Sequence, residues 1–170
     1  TPEEMLENGF AKLSENLVDE VLSKISECSP SFFEHLVIDL LVHMGYGGSF
    51  SEAAQVVGKS GDEGIDGIIK EDKLGIDTRY VQAKRWKGVV GRPEIQKFAG
   101  ALLGQKASKG VFITTSSFTK EAVEYASSVD RKVVLIDGTK LATLMIEHNV
   151  GISTVRNFEI KRIDSDYFEE

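Results

Sequence analysis

Cysteine is almost missing from this 170-residue chain, where Cys28 stands alone. One thiol excludes an internal disulfide and a cysteine-based zinc site, and it fits a reducing cytoplasm, the compartment expected. No run of about 18 apolar residues exists, which excludes a membrane-spanning helix. The opening TPEEMLENGF lacks a basic stretch followed by an apolar one, so it does not read as a signal peptide. It also lacks an initiating Met, which points to a piece of a longer protein. Positive charge is in deficit, at a net charge of −7 and a pI near 5.1. That excludes a protein gripping nucleic acid with its whole surface. No glycine-rich loop ends in Lys and Ser or Thr, which argues against a nucleotide-binding α/β domain. His35, His43 and His148 show no metal-ligand spacing.

What is present is a core-forming chain. Hydrophobic residues make up 41% of it, enough for one domain with a helical extension. The charge is unevenly placed. From Lys84 to Lys109 run Lys84, Arg85, Lys87, Arg92, Lys97, Lys106 and Lys109 against a single acid, Glu94. A locally basic face on an acidic body can still hold a phosphate backbone.

Residues Pro2 to about Ile25 read as an amphipathic helix, with Met5, Phe10, Leu13, Leu17, Val21, Leu22 and Ile25 mostly at threes and fours. Ser29 and Pro30 stop it and start another, as N-cap and first helical residue. Phe33, Leu36, Val37, Leu40, Leu41 and Met44 make that helix's stripe, and Gly45 ends it. The period then changes. Strands are expected at 55–57, 65–69 and 79–84, the last two joined by a polar turn from Glu71 to Gly75. Helices at 93–106, 119–128 and 139–148 alternate with strands at 111–114 and 133–136. Gly100 and Gly104, four apart, are expected to let the first of these helices press on the sheet. The fold class is therefore α/β: a sandwich with a short, mixed central sheet and helices on both faces. The tail after Val150 stays unassigned.

Three features carry chemistry. In Gly64-Ile65-Asp66-Gly67 a carboxylate opens an apolar strand between glycines that allow close approach of a ligand. In Val81-Gln82-Ala83-Lys84 on the next strand, Gln82 and Lys84 share a face about 7 Å apart, with Val81 and Ala83 turned the other way. Glu34 lies roughly 80° from the centre of its helix's apolar stripe, at the border of the buried face. A hard cation such as Mg²⁺ needs few oxygen ligands from protein, because it keeps waters and uses substrate phosphate. Asp66 offers a carboxylate, Gln82 an amide oxygen and Ala83 a backbone carbonyl. Lys84 offers a point charge that can orient an attacking water and stabilise charge on a phosphate. Taken singly, Asp66 reads equally as a turn residue, and Gln82 and Lys84 as a solvated strand face. Glu34 also reads as partner of a capping box with Ser31, although Pro30 makes Ser29 the cap.

The joint pattern resembles the Mrr-type branch of the PD-(D/E)xK nuclease superfamily, in the variant where glutamine replaces the acidic residue of the signature. Likeness extends to Phe32-Phe33-Glu34, Met44-Gly45-Tyr46-Gly47, Ser60-Gly61-Asp62, the run from Arg92 to Phe98, the run from Gly110 to Ser116, and Leu135-Ile136-Asp137-Gly138. The resemblance implies a restriction-endonuclease-like fold and Mg²⁺-dependent DNA cleavage, with Mn²⁺ as a substitute. It assigns catalysis to Asp66, Gln82 and Lys84, with Glu34 as an accessory acid, in restriction of foreign or methylated DNA. Glu63 stands where relatives often have a second glycine; it reads as an added ligand or, the favoured expectation, as a residue facing solvent. A DNA-reading winged-helix domain, common in such proteins, is not visible.

Residues 28–150 are expected to form the catalytic domain, with 1–27 an N-terminal helix or linker and 151–170 a tail. Arg85, Trp86, Lys87, Arg92, Gln96 and Lys97 are expected to contact DNA, with Trp86 reading equally as a cover for the sheet edge. The N-terminus of the Pro93 helix offers a further phosphate site. The hydroxyl run Thr114 to Thr119 is better explained as a helix cap than as a phosphate loop. Double-strand cleavage needs two sites, so a homodimer is expected on double-stranded DNA. The competing readings are a nuclease-like module that binds without cutting and a structure-selective junction resolvase.

Overall fold

The computed structural model of the chain describes residues 1–49, 51–53, 57–60, 64–70, 72 and 74–169, with backbone only for 57–60, 64 and 65. Helix α1 (Pro2–Glu27) is followed at once by α2 (Pro30–His43). Ser29 ends one and caps the other: its Oγ accepts from the Phe32 N–H at 3.2 Å, with Pro30 as the first helical residue. Gly45, at φ +93, closes α2 in a conformation that costs glycine no Cβ clash.

Strands β1 (Val57–Ser60), β2 (Gly64–Lys70) and β3 (Thr78–Lys84) come next, then α3 (Arg92–Gly104), β4 (Lys109–Thr114), α4 (Lys120–Ser128), β5 (Lys132–Ile136) and α5 (Gly138–Glu147). The first strand overlaps its expected position only at Val57, because Gln55 and Val56 lie outside the described residues. Between β2 and β3 the Asp72 carboxylate accepts from the Ile76 and Asp77 N–H groups, and Gly75 takes positive φ, an Asx-type turn. Glu71 of that turn lies outside the described residues.

The five strands stand in chain order in one sheet, antiparallel from β1 to β3 and parallel from β3 to β5. Parallel neighbours need crossovers, and α3 and α4 supply them on one face. Ile95, Phe98 and Leu102 of α3 and Ala122 of α4 bury there against Tyr80 and Phe112. The other face is covered by α2, α5 and the C-terminal half of α1, with Phe33, Val37, Leu141, Val21 and Ile25 packed on Val81, Ala83 and Ile113. Fully burying a side chain such as Phe33 or Phe98 stabilises by about 1.5–3 kcal/mol.

The glycine that admits close packing is not the expected one. A Cβ added at Gly100 or Gly104 would meet nothing within 4 Å. At Gly110 it would lie 2.7 Å from Leu102 and 2.8 Å from Phe98. The helix supplies the large side chains and the strand supplies the gap. Beyond Ile152 the chain forms no regular element except one 3₁₀ turn at Ser165–Phe168, and it exposes Val155, Phe158, Ile160, Ile163, Tyr167 and Phe168.

Candidate active site

The site is built by strand pairing. Asp66 stands directly opposite Gln82 in the antiparallel register of β2 and β3, and Gly64 stands opposite Lys84. Side chains facing each other in such a pair have Cβ atoms about 4.5–5.5 Å apart. Alternation places Tyr80, Gln82 and Lys84 on the face covered by α3 and α4. Asp66 and Gln82 are both half-buried, and the Gln82 amide makes no hydrogen bond among the described residues.

Asp66 is held from below. The Tyr80 hydroxyl, two residues before Gln82 on the same face, donates to Asp66 Oδ1. Tyr80 is 2% exposed, and its ring stacks on Phe98 with centroids 5.2 Å apart. Burial first, then the hydrogen bond to Asp66 and that group's charge, push the phenol's pKa well above its ordinary value. It therefore stays a donor across the working pH range.

Lys84 is the only buried charged side chain among the described residues. Its Nζ lies 3.7 Å from Glu94 Oε2 and 4.5 Å from the centroid of the Trp86 ring. Glu94 sits in the first turn of α3, where a carboxylate suits the helix dipole, and its Oε1 is 3.2 Å from Lys97 Nζ. Trp86 is fixed through its backbone, since Thr115 Oγ1 donates to its carbonyl at 2.9 Å. Val90, four residues on, is pinned by hydrogen bonds with Ser117 and Thr119. The hydroxyl run after β4 thus braces this loop, and Thr119 caps α4 by accepting from the Ala122 N–H.

The other predicted residues divide. Ala83 is fully buried on the opposite face, in register with Ile65 and Ile113, one residue before the ladder ends. Arg85 turns away from Lys84 and donates from Nη1 to the Cys28 carbonyl at 2.6 Å, tying the end of β3 to the junction of α1 and α2. Trp86 is half-buried against the core under α3, so it covers the sheet end and also touches Lys84. Lys87, Gln96 and Lys97 are exposed, and Arg92 lies over the Tyr125 ring at 5.1 Å. Glu34 is half-buried on α2, in the layer over the face opposite the Asp66–Gln82 pair. Glu63 lies outside the described residues.

The donor set is sparse: one carboxylate and one amide oxygen, since no three His, Cys, Asp or Glu side chains gather among the described residues. That fits a hard cation that keeps waters and borrows phosphate oxygen, and does not fit a soft-metal site. Asp66 and Gln82 would hold such an ion. A groove of about 720 Å³ between α1, α2 and the end of α5 lies in the other layer and is mostly apolar, lined by Val21, Ile25, Leu36 and Met145. It has no part in this chemistry.

Sequence reasoning missed Tyr80 and Glu94. Tyr80 was accessible from the two-residue period that groups it with Gln82 and Lys84. Glu94 was marked as the lone acid in a basic stretch, although its partner is fixed only by the fold.

A mixed sheet between helix layers, with these side chains on its central antiparallel pair, defines a restriction-endonuclease-like domain. AspBHI, a DNA modification-dependent restriction endonuclease, shares that fold at a TM-score of 0.56 and 18% identity, over 81% of this chain and 35% of its own. A family model described as restriction endonuclease, the Mrr catalytic domain, matches residues 25–145, and the chain belongs to that family. The type IV methyl-directed restriction enzyme EcoKMrr of Escherichia coli (strain K12) is 50% identical over 169 residues. The alignment spans 99% of this chain and 55% of that enzyme, so the chain covers about half the length of the relative.

Proposed function

We propose that this chain is the catalytic domain of an endonuclease that hydrolyses phosphodiester bonds of double-stranded, methylated DNA with Mg²⁺, or Mn²⁺ in its place. The observation that carries the reading is the direct pairing of Asp66 with Gln82, with Lys84 next on the same face. Residues 28–150 are taken as the catalytic unit, acting on DNA in the cytoplasm.

Asp66 and Gln82 would hold Mg²⁺, which would supply Lewis-acid stabilisation of phosphate charge. Tyr80 keeps the Asp66 carboxylate in place by donating to its Oδ1. Lys84 orients the attacking water and balances charge growing on the phosphate, and its own burial strengthens the effect of its charge. The products are a 3′-hydroxyl and a 5′-phosphate. Lys87, Arg92, Gln96 and the open N-terminus of α3 line the approach and contact the backbone. Two cuts need two sites, and the exposed apolar face of α1 (Met5, Leu6, Phe10 and Leu13) supports a second copy of the chain as partner. Similarity to a methyl-directed restriction enzyme supports methylated DNA as the substrate.

The test is plasmid cleavage by the full-length protein and by this chain, on methylated and unmethylated DNA with Mg²⁺ or Mn²⁺. Cutting that disappears in both Asp66→Ala and Lys84→Ala is the expected result. Binding without cutting under either metal would identify a module that only recognises DNA.

A further inference from the structure

Lys84 is buried in a way that demands an explanation. Every other charged side chain among the described residues is exposed or half-buried. An ammonium on a flexible four-carbon stem is seldom buried without partners to hold it. Its two partners among the described residues come from different elements: Trp86 from the loop after β3, and Glu94 from the first turn of α3. Glu94 is also the single acid between Lys84 and Lys109, so it weakens whatever attraction that basic stretch has for phosphate. Its position beside Lys84 gives it a reason to be there.

The distances are informative. At 3.7 Å the Lys84–Glu94 contact is an ion pair longer than a hydrogen bond, and the Trp86 ring face at 4.5 Å accepts no conventional hydrogen bond. Both restrain the ammonium while leaving its N–H donors available. Glu94 is itself held, its second oxygen 3.2 Å from Lys97 one turn along α3.

We propose that Trp86 and Glu94 form a two-sided clamp that fixes Lys84 Nζ on the site face while leaving its protons for water and phosphate. Both are positioning residues, and Lys97 serves the clamp by orienting Glu94. The catalytic consequence rests on the nuclease reading above, whereas the clamp itself does not.

Trp86 is the sole tryptophan, so its fluorescence reports directly on the Lys84 contact. In the metal-free protein, Glu94→Gln and Lys84→Met are expected to change Trp86 emission alike, and the double variant to match Lys84→Met alone. Unchanged emission in Glu94→Gln, or a separate additive change in the double variant, would overturn the clamp whether or not the protein cuts DNA. In single-turnover cleavage, Glu94→Gln is expected to lower the rate about 10- to 100-fold, as loss of an outer-shell partner typically does, without raising the half-saturating DNA concentration. Glu94→Asp, which keeps the charge, recovers part of that rate, and Trp86→Leu moves it in the same direction as Glu94→Gln. Tighter DNA binding with an unaltered rate would mean that Glu94 merely repels phosphate, and would sink the proposal. Failure of the wild type to cut with either metal would sink the nuclease reading instead, leaving the emission result to decide the clamp.

Discussion

Tyr80 shows how a single residue couples the core to the site. Its ring is packed under α3 while its hydroxyl donates to Asp66, so the folded protein strongly favours the neutral phenol. In the unfolded chain a tyrosine ionises near pH 10. A raised folded-state pKa means that this group's contribution is complete below that pH and is lost as pH rises above it. With one proton more on the folded side, the slope approaches about 1.4 kcal/mol per pH unit. The stability gap between the wild type and Tyr80→Phe, measured by urea unfolding of the metal-free protein from pH 8 to 11, is therefore expected to be constant up to about pH 10 and then to narrow. A gap that held constant through pH 11 would show that Tyr80 ionises as freely when folded. At this scale the sequence was legible where local rules suffice. Glycines flank Asp66, and alternation groups Gln82 with Lys84. It was silent on Glu94 and Tyr80 as partners, because a register and a helix placement had to exist before either could be paired with anything. The tie of Arg85 to the Cys28 carbonyl was equally invisible, because it depends on where the junction of α1 and α2 packs against the end of β3.

Elements show where that packing information resides. Gly110 of β4 lies under α3, and the space it leaves admits Phe98, on which Tyr80 stacks, and Tyr80 holds Asp66. A missing side chain thus reaches the site through two aromatic rings. Gly110→Ala is expected to cost about 1–3 kcal/mol, the usual penalty of overpacking, and to weaken cleavage in step. Gly100→Ala, in an exposed stretch of α3 with open space around it, is expected to stabilise by about 0.5–1 kcal/mol. Chemical denaturation of the two variants side by side checks both signs, and equal effects would remove Gly110 from this account. The four-residue spacing of Gly100 and Gly104 suggests packing from sequence alone, whereas the tight fit at Gly110 depends on the helix laid over it. Helix caps were far easier to read, since Ser29 and Thr119 each satisfy an N–H three residues ahead.

Taken whole, the molecule leaves apolar surface uncovered at its two ends. The C-terminal half of α1 is sealed onto α2 and α5, but Met5, Phe10 and Leu13 are at least 70% exposed on the other half. The amphipathic pattern of α1 reads evenly along its whole length, so the sequence could not show that only half of it finds partners within the chain. Scattered apolar side chains are ordinary on a surface, but Leu6, Phe10 and Leu13, spaced four and three apart, form an exposed stripe that water penalises. If two copies meet there, the contact places two catalytic units in one particle, which a double-strand cut requires. Phe10→Ser combined with Leu13→Ser is then expected to shift sedimentation toward the monomer and to turn double-strand breaks into nicks at low protein concentration. The unfolding midpoint should fall by no more than about 2–4 °C, the shift that 1 kcal/mol produces in a domain of this size, because neither side chain contributes to the core. Unchanged sedimentation together with undiminished double-strand cleavage would remove α1 from the assembly and require the second active site to arrive by another surface.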